Sequence, residues 1–373
     1  MRIVFLCGCL EPGQDGVGDY TRRLAAELGR QGHQIQLIAL HDRRIAQSAL
    51  TDTQQEEEQM IPVYRLSNRL SWRERTAKAR AYIDTVNPDW ISLQYVPFSF
   101  HDKGLSVQLA GVVKQLSAGR PMHIMFHEVW LGLSKQSSRR HVVWGMLQRQ
   151  LISALLRACN HPIVHTHTPL YQCHLNGLRV QSSLLPLFSN IPVTSHQQHQ
   201  VTADQNSDQP IHFVFFGGIF PNAPANLFAA EVAAYAKKRQ QVIDLTLIGR
   251  SGSEQAVWIS AWRAHGLPVQ VLGEQSPAQI SAVLNRSSVG LSTTPVALAG
   301  KSGAIAAMHA HGLPVLCVAA PWHPRQPHTL PQALGVTTYS AGRLEEALKH
   351  QLSTPPTRLT IDKIAGQFIH NLR

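Results

Sequence analysis

The chain has 373 residues, and at roughly 150 residues per domain this length predicts two domains. Hydrophobic residues make up 44% of the chain, enough for a core in each domain, which excludes gross disorder. Lysine and arginine outnumber aspartate and glutamate by 34 to 23, a net charge of +11, so the partner is expected to be anionic. Candidates are a nucleotide or phosphorylated substrate, an acidic membrane surface, or nucleic acid. Nucleic acid is disfavoured because the basic residues are spread out and no recognition motif is present.

The cysteines bear on the cellular compartment of the protein, and the apolar runs bear on whether it spans a membrane. Five cysteines at irregular spacing do not form a disulfide pattern, which favours a reducing, cytoplasmic location. No stretch reaches the roughly 18 to 20 apolar residues of a transmembrane helix, so we expect a soluble protein.

Short apolar runs alternate with longer amphipathic segments, the pattern of a parallel α/β sheet. In the first half a glycine-rich loop follows the first strand, and a helix opens near residues 19–21. The polar run 54–59 is interpreted as a solvated helix face or a loop. The other elements predicted there are strands at 3–6, 35–40, 90–95, 123–126 and 162–166 and a helix at 142–158.

Residues 195–210 contain almost nothing to bury and predict a linker. The alternation then starts again, which divides the chain into domains at 1–194 and 211–355, with a final segment at 356–373. The elements predicted in the second half are strands at 211–216, 245–248, 269–272, 289–292 and 315–318 and helices at 225–238 and 304–311.

The loop after the first strand is the first candidate binding site. Glycines such as Gly16 and Gly18 let the backbone approach a ligand, and the start of the following helix favours an anion. The strict dinucleotide motif fails, because Thr21 stands where a Gly or Ala is required, so a nicotinamide dehydrogenase is weakly supported. A tight turn without a ligand remains the alternative.

Histidines follow two of the predicted strands. His127 lies at the carboxyl end of a strand, where open α/β sheets bind ligands, and can donate a hydrogen bond or act as a base. The alternative is a histidine satisfied within the core or at the surface. His165 and His167 share one face of a strand, but no Cys, Asp or Glu at ligand spacing accompanies them, so no metal site is predicted.

The most informative stretch of the second half is Gly300-Lys301-Ser302-Gly303, before a predicted helix. A P-loop is disfavoured because Pro295 stands where its first glycine is required. A lysine and a hydroxyl at a helix N-terminus can still hold a diphosphate, the alternative being a simple helix cap. Arg250, at a strand end, is a second candidate cation or an exposed surface residue.

Four stretches of the chain combine into a recognisable pattern. In chain order they are residues 16–28 with Gly32-His33, Phe126-His127-Glu128, Phe216-Gly217-Gly218, and 300–315 ending in His311-Gly312-Leu313-Pro314-Val315. Together they resemble the GT-B-fold retaining glycosyltransferases, nucleotide-sugar-dependent enzymes that build bacterial polysaccharides. The corresponding family features are the glycine loop with its helix and turn, the strand-end His-Asp, the glycine that opens the donor domain, and the Cys-Gly-x-Pro-Val ending.

The resemblance implies an α/β protein of two Rossmann-like, doubly wound domains facing a cleft. The first domain would hold the acceptor and the second the nucleotide-sugar donor, while residues 359–372 resemble the C-terminal helix that crosses back to the first domain. No metal or other cofactor is implied, because basic side chains and helix N-termini neutralise the leaving diphosphate.

Two features depart from the family pattern. Its paired glutamates would fall at Ala299 and Ala307, and residues 219–222 replace its basic pair. Lys301 and Arg250 are the candidates to supply the missing positive charge. The missing glutamates leave the donor sugar open, and also whether the product anomer is retained or inverted.

The function implied is transfer of a hexose-type sugar from a nucleotide diphosphate sugar to a saccharide or lipid-linked acceptor. Gly16 and Gly18 would let the first loop approach the donor, Asp19 would lie near the acceptor, and His127 would position the sugar or the acceptor hydroxyl. The residues implied to hold the diphosphate are Gly217, Gly218, Arg250, Lys301 and Ser302.

Two other functions are compatible with the sequence. A nucleotide-sugar epimerase of the same fold would consume no acceptor, and a catalytically silent saccharide-binding or scaffold protein would transfer nothing. The net charge permits peripheral contact with the inner face of an anionic membrane, although no amphipathic basic helix demands it.

Overall fold

The structure, a computed structural model, describes residues 1–194, 209–331, 333, 335–353 and 358–373, with only the backbone for 350–353. The chain divides into two compact units. Unit 1 comprises Met1–Pro186, His323–Thr329 and Ile361–Arg373, and unit 2 comprises Leu187–Trp322 and Leu330–Thr360. Apart from its last two residues, the predicted linker lies outside the described residues. No helix in the described ranges is both long and apolar enough to cross a membrane.

Most elements of unit 1 precede the linker. They are β1 (Arg2–Cys7), α1 (Gly16–Arg30), β2 (Gln34–Asp42), β3 (Ala49–Glu56), β4 (Gln59–Ser67), α2 (Trp72–Val86), β5 (Trp90–Tyr95), α3 (Leu109–Ser117), β6 (Met122–Phe126), α4 (Arg139–Ala158), β7 (Ile163–Thr166), α5 (Pro169–Asn176) and β8 (Ser182–Leu184).

The helices and strands of unit 2 follow the linker, and the chain then returns to unit 1 for its last helix. The elements of unit 2 are β9 (Ile211–Phe216), α6 (Ala225–Arg239), β10 (Ile243–Ile248), α7 (Gln255–Ala264), β11 (Val269–Gly273), α8 (Pro277–Arg286), β12 (Val289–Ser292), α9 (Gly303–Ala310), β13 (Val315–Cys317), β14 (Val336–Thr338) and α10 (Leu344–Ser353). The last helix, α11 (Ile361–Asn371), belongs to unit 1.

Each unit contains one sheet with the strand order of a doubly wound fold. The sheet of unit 1 runs β3-β4-β2-β1-β5-β6-β7-β8, and the sheet of unit 2 runs β11-β10-β9-β12-β13-β14. All neighbouring strands are parallel except β3 and β4. Sheets of this kind bind ligands beyond the carboxyl ends of the strands where the order reverses, here β1 and β5 in unit 1 and β9 and β12 in unit 2.

The core of unit 1 lies on both faces of its sheet. Residues 3–6 of β1 are fully buried, as expected of a parallel strand covered on each side. Helix α11 covers part of one face, where the Phe368 ring stacks on Phe5 at 5.7 Å and meets His123 edge-on at 5.0 Å. The C-terminal helix is therefore part of the packing of unit 1.

The interpretation of residues 54–59 as a helix face or loop was wrong. These residues form the end of β3, a turn, and the start of β4, an antiparallel hairpin at the edge of the sheet. Acidic side chains of this hairpin pair with arginines of α1. Arg22 and Arg23 both contact Glu56, and Arg23 also contacts Glu57 at 3.1 Å. A charge run that looks fully solvated in sequence is thus a strand held by two buried arginines.

Helix α1 also begins earlier than predicted. It starts at Gly16 because the Asp15 side chain caps it, with Oδ1 accepting a hydrogen bond from Val17 N at 3.1 Å. Asp19 therefore lies within the helix rather than at its opening.

Candidate functional site

The glycine loop of unit 1 brings helix α1 close to the end of β1. A Cβ at Gly18 would lie 2.6 Å from the Cys9 carbonyl oxygen, so only glycine permits this approach. At Gly16, by contrast, an added Cβ would meet nothing within 4 Å. The two glycines thus differ: Gly18 is required by packing, while Gly16 borders open space beside the helix N-terminus.

Asp19 stabilises this loop through contacts within the protein. Its Oδ1 accepts hydrogen bonds from Gly13 N at 2.9 Å and from the Arg22 guanidinium at 2.6 Å. Arg22 is buried and also donates to the Leu10 carbonyl. These contacts give Asp19 a structural role, and its expected position near an acceptor stays a prediction.

His127 lies in the middle of a buried hydrogen-bonded chain of side chains. Its Nε2 is 2.9 Å from Gln94 Oε1, and its Nδ1 is 3.0 Å from Nε2 of His167. His167 Nδ1 in turn lies 2.9 Å from the Leu185 carbonyl oxygen. Both ring nitrogens of His127 therefore have protein partners.

The chain continues from Gln94 to the C-terminal helix. Gln94 Nε2 lies 2.8 Å from Ser92 Oγ, which lies 2.7 Å from His123 Nδ1. Nε2 of His123 is 2.9 Å from His165 Nδ1, and His165 Nε2 is 2.7 Å from Asn371 Nδ2. The chain thus links β5, β6 and β7 to α11, and we call it the histidine network.

A backbone carbonyl sets the direction of the hydrogen bonds at one end of the histidine network. The Leu185 carbonyl can only accept, so His167 carries its proton on Nδ1. The remaining nitrogen of a neutral His167 is an acceptor, which requires His127 to donate from Nδ1. Nε2 of a neutral His127 then requires a donor.

The amide of Gln94 supplies that donor when its nitrogen faces His127. Its oxygen then accepts from Ser92, which accepts from His123 Nδ1. By the same rule His165 donates from Nδ1, and its Nε2 accepts from Asn371 Nδ2, the atom that lies there. With the Gln94 oxygen toward His127 instead, either His127 or His167 must carry a second proton.

Burial favours the neutral arrangement. It lowers the pKa of His127 and of His123 well below the ordinary histidine value, in each case with a smaller contribution from a neighbouring imidazole. Burial also lowers the pKa of His165 to about 4. At neutral pH these three rings are uncharged, so a proton can be shared along the network only through tautomer changes.

The site therefore offers uncharged hydrogen-bonding groups at this edge of unit 1. His127 is 7% exposed, and the Tyr20 ring packs edge-on against its ring at 4.9 Å. A hydrogen bond from that ring to a ligand requires one of its two protein contacts to open, and its positioning role stays a prediction. Among the residues that the structure describes, no cluster of three or more metal-ligating side chains is present.

Sequence reasoning missed four members of the histidine network, although they leave a signal. A polar residue inside an apolar strand needs a buried partner, and these strands contain several. The missed residues are Ser92, Gln94, His123 and Asn371.

In unit 2, two glycine loops interlock beyond β9 and β10. Gly217 has a φ of 78°, and an added Cβ at Gly217 or Gly218 would meet nothing within 4 Å. A Cβ at Gly249 would lie 3.2 Å from Gly217 N, and Ile219 N donates to the Ser251 carbonyl at 3.2 Å. The loops thus leave open space beside Gly217 and Gly218 while fixing each other's backbone.

Arg250 lies on the second of these loops with its charge directed to solvent. Its side chain is 65% exposed, and its guanidinium pairs with Glu274 at 2.8 Å. The hydrogen bond from Arg250 lowers the pKa of the Glu274 carboxyl. An exposed ion pair of this kind contributes little stability. An anionic ligand could therefore replace Glu274 as the partner of Arg250 at little cost in free energy.

Lys301 and Ser302 lie at the start of α9. Lys301 ends a 3₁₀ segment, Val296–Lys301, and Ser302 caps the helix by accepting from Ile305 N at 3.3 Å. The helix cap, the alternative to a phosphate contact, is therefore present. Diphosphate binding by Lys301 and Ser302 stays a prediction.

Alanines stand where the resemblance expects the paired glutamates, and both are buried. Ala299 is 4% exposed and Ala307 is fully buried, and both belong to one apolar cluster of unit 2. A carboxylate at either position would be desolvated by that cluster. Unit 2 is therefore packed with methyl groups at the two positions.

No protein-family model matches the chain, and no curated protein matches its sequence. Solved structures match over its whole length. Sucrose-phosphate synthase from Thermosynechococcus elongatus matches with a TM-score of 0.62 at 14% identity, covering 100% of this chain and 99% of that one.

Two further matches contain sugar nucleotides or their parts. Anabaena Alr3699/HepE in complex with UDP and glucose has a TM-score of 0.55 at 14% identity, and E. coli trehalose-6-phosphate protein bound with UDP-2-fluoro glucose has 0.56 at 10%. Each alignment covers 100% of this chain and 99% of the other. At these identities the likeness establishes the fold, and the chain has the GT-B fold of two Rossmann-like α/β domains.

Proposed function

We propose that the protein is a glycosyltransferase that moves a hexose-type sugar from a nucleotide diphosphate sugar to a saccharide or lipid-linked acceptor. The observation that carries this proposal is the likeness over the full chain to structures that hold UDP with glucose and UDP-2-fluoro glucose. A nucleoside diphosphate sugar is anionic, in agreement with the net charge of +11.

Unit 2 would bind the donor. The open space beside Gly217 and Gly218 admits a ligand to the backbone at the end of β9, one of the two strands at which the strand order reverses. The α9 N-terminus, with Lys301 and Ser302, would stabilise the diphosphate as negative charge develops on it, and Arg250 would add a second positive charge. These groups would stabilise the leaving diphosphate without a metal ion.

Unit 1 would hold the acceptor beside the transferred sugar. His123, His127 and His165 of the histidine network are uncharged at neutral pH, and uncharged donors and acceptors suit sugar hydroxyls better than they suit phosphates. His127 would position a hydroxyl, and the open space at Gly16 would allow the donor to approach. The family resemblance favours retention of the anomeric configuration.

The first experiment is a thermal-shift screen against UDP, ADP and GDP and their hexose derivatives. A ligand of the folded state raises the melting temperature, so one nucleoside diphosphate should raise it and the matching sugar nucleotide should raise it further. No shift with any of them would contradict the proposal.

The second experiment separates the three functions compatible with the fold. With the donor identified, NMR follows its anomeric proton in the presence and absence of oligosaccharide acceptors. Acceptor-dependent release of nucleoside diphosphate with a new glycosidic bond supports the transferase. Conversion of the donor into an epimeric sugar without an acceptor indicates an epimerase. Binding of the donor without turnover indicates a silent protein.

A further inference from the structure

Helix α4 exposes apolar side chains on its outer face. Val143 is 57%, Met146 61% and Leu147 49% exposed, and their spacing places them together on one side of the helix. The opposite side packs into unit 1 through Gly145, Gln148, Ile152, Leu155 and Leu156. Large apolar residues thus lie on both sides of this helix, although one side alone is needed for the fold.

Arginines lie along the same exposed side. Arg139 and Arg157 fall on the stripe of Val143, Met146 and Leu147, since steps of 4, 7, 8 and 18 residues return to one helix face. The distance between the two arginines is about 27 Å along the axis at the usual rise per residue. We call this surface, formed by Arg139, Val143, Met146, Leu147 and Arg157, the α4 outer face.

The charge around the α4 outer face is strongly one-sided. Helix α4 contains four arginines and no acidic residue. In the sequence, the stretch between Asp102 and Asp204 contains nine lysines and arginines and one acidic residue, Glu128, so it contains most of the excess positive charge of the chain. The sequence did not single out this helix, because the apolar residues of its inner side obscure the outer stripe.

The arginines of α4 contact aromatic rings and hydroxyls rather than carboxylates in the part of the chain that the structure describes. Arg140 lies 5.8 Å from the ring of Trp144, and Arg157 donates to Ser153 Oγ at 2.8 Å. The indole of Trp144 donates to the Lys103 carbonyl at 2.6 Å. Among the described residues, no salt bridge therefore neutralises the positive charge beside the apolar stripe.

We propose that the α4 outer face docks on an anionic lipid bilayer. Val143, Met146 and Leu147 would enter the interfacial region, while the arginines would bind lipid phosphates, the arrangement of an interfacial helix. A second copy of the chain fits less well, because it would bring like charges together. Nucleic acid would account for the arginines but not for three exposed apolar side chains.

We expect membrane binding to be reversible and to require both the apolar side chains and the arginines of the α4 outer face. Three apolar side chains that are already half covered by the protein provide a weak anchor, so the arginines must contribute as well. Screening weakens attraction between exposed charges, and we therefore expect binding to fall as salt is raised. This inference does not depend on sugar transfer, and its test does not use activity.

The experiment is co-flotation of the full chain with vesicles of phosphatidylcholine alone or mixed with phosphatidylglycerol. We expect binding to the mixed vesicles at about 0.1 M salt, little binding to phosphatidylcholine, and release near 0.5 M salt. The double variant Arg139→Gln/Arg157→Gln should lower the partition coefficient about 30-fold. The variant Met146→Glu/Leu147→Glu should abolish binding.

Matched variants in unit 2 control for general effects of charge and surface polarity. Lys237→Gln/Arg263→Gln removes two exposed charges elsewhere, and Val257→Glu changes an apolar residue that is 49% exposed on α7. Both should leave vesicle binding unchanged. No binding to anionic vesicles, or equal loss in the control variants, would overturn the proposal. So would a dimer in sedimentation that Met146→Glu/Leu147→Glu dissociates, because the face would then bind a second copy.

Discussion

Nδ1 of His127 lies 3.0 Å from Nε2 of His167, and this contact connects the candidate site to the backbone of β8's C-terminal end. His167 is oriented by the Leu185 carbonyl, the residue directly after β8. The protonation of His127 is therefore set by the Leu185 carbonyl, which can only accept a hydrogen bond. At the far end of the same network, Asn371 of α11 contacts His165.

We predict that His123, His127 and His165 of the histidine network are neutral and protonated on Nδ1, and that His167 carries a proton on Nδ1. Two-bond ¹H–¹⁵N spectra of the protein labelled at histidine measure this directly. Asn371→Asp replaces a donor by an acceptor, so His165 should become protonated on Nε2. An unchanged His165 signal would show that Asn371 does not set the direction.

We predict that the protein loses stability as the pH falls below about 6.5, the ordinary histidine pKa. Burial lowers the pKa of His123, His127 and His165, the last to about 4, so only the unfolded chain binds protons in this window. Above pH 6.5 these histidines are neutral in both the folded and the unfolded chain, so they cause no loss of stability there. Below it the free energy of unfolding should fall by about 1.4 kcal/mol per pH unit for each such histidine.

Urea unfolding at about pH 7 and pH 5 measures this dependence. His165→Gln should reduce the proton uptake on unfolding by about one. Equal uptake in His165→Gln and the parent would mean that His165 is not held neutral by burial.

The strands and helices were largely predictable because burial on both sides of a parallel sheet leaves uninterrupted apolar runs. The prediction of β9 at 211–216 and of β12 at 289–292 is confirmed to the residue. Residues 54–59 were not predictable from their own composition, since their partners Arg22 and Arg23 lie more than thirty positions earlier. A local pattern cannot show which distant charge completes an edge strand.

The candidate site was predictable in part, for the same reason. His127 was found because strand ends in open α/β sheets face ligands, a rule that needs only the local pattern. Its partners Gln94 and His167 belong to other strands, and Asn371 is more than two hundred residues away. Their juxtaposition follows from strand order and from the return of α11, which local periodicity does not encode.

We predict opposite effects of alanine at the two glycines of the first loop. Gly18→Ala should destabilise the protein by about 1 to 3 kcal/mol, because its Cβ would meet the Cys9 carbonyl oxygen at 2.6 Å. Gly16→Ala has open space and should be neutral or stabilising by up to about 1 kcal/mol. Urea unfolding of both variants provides the measurement, and equal destabilisation would contradict the packing argument.

We predict that Lys301→Ala lowers turnover by about one to two orders of magnitude, equivalent to roughly 1.5 to 3 kcal/mol of leaving-group stabilisation. The matched control Lys237→Ala, on α6, should leave the rate unchanged. Steady-state assays with the donor found in the thermal-shift screen measure both. An unchanged rate in Lys301→Ala would remove this residue from the proposed diphosphate site.

Ser302 allows the helix cap to be separated from the diphosphate contact. Ser302→Ala removes the acceptor for Ile305 N and should cost about 1 kcal/mol of stability. Ser302→Asp supplies an equally good cap, so stability should recover, but its negative charge would repel a diphosphate at the α9 N-terminus. Nucleoside diphosphate affinity, measured by calorimetry, should therefore be lower in Ser302→Asp than in Ser302→Ala, although the aspartate variant is the more stable protein. If affinity follows stability instead, the ligand does not reach the start of α9.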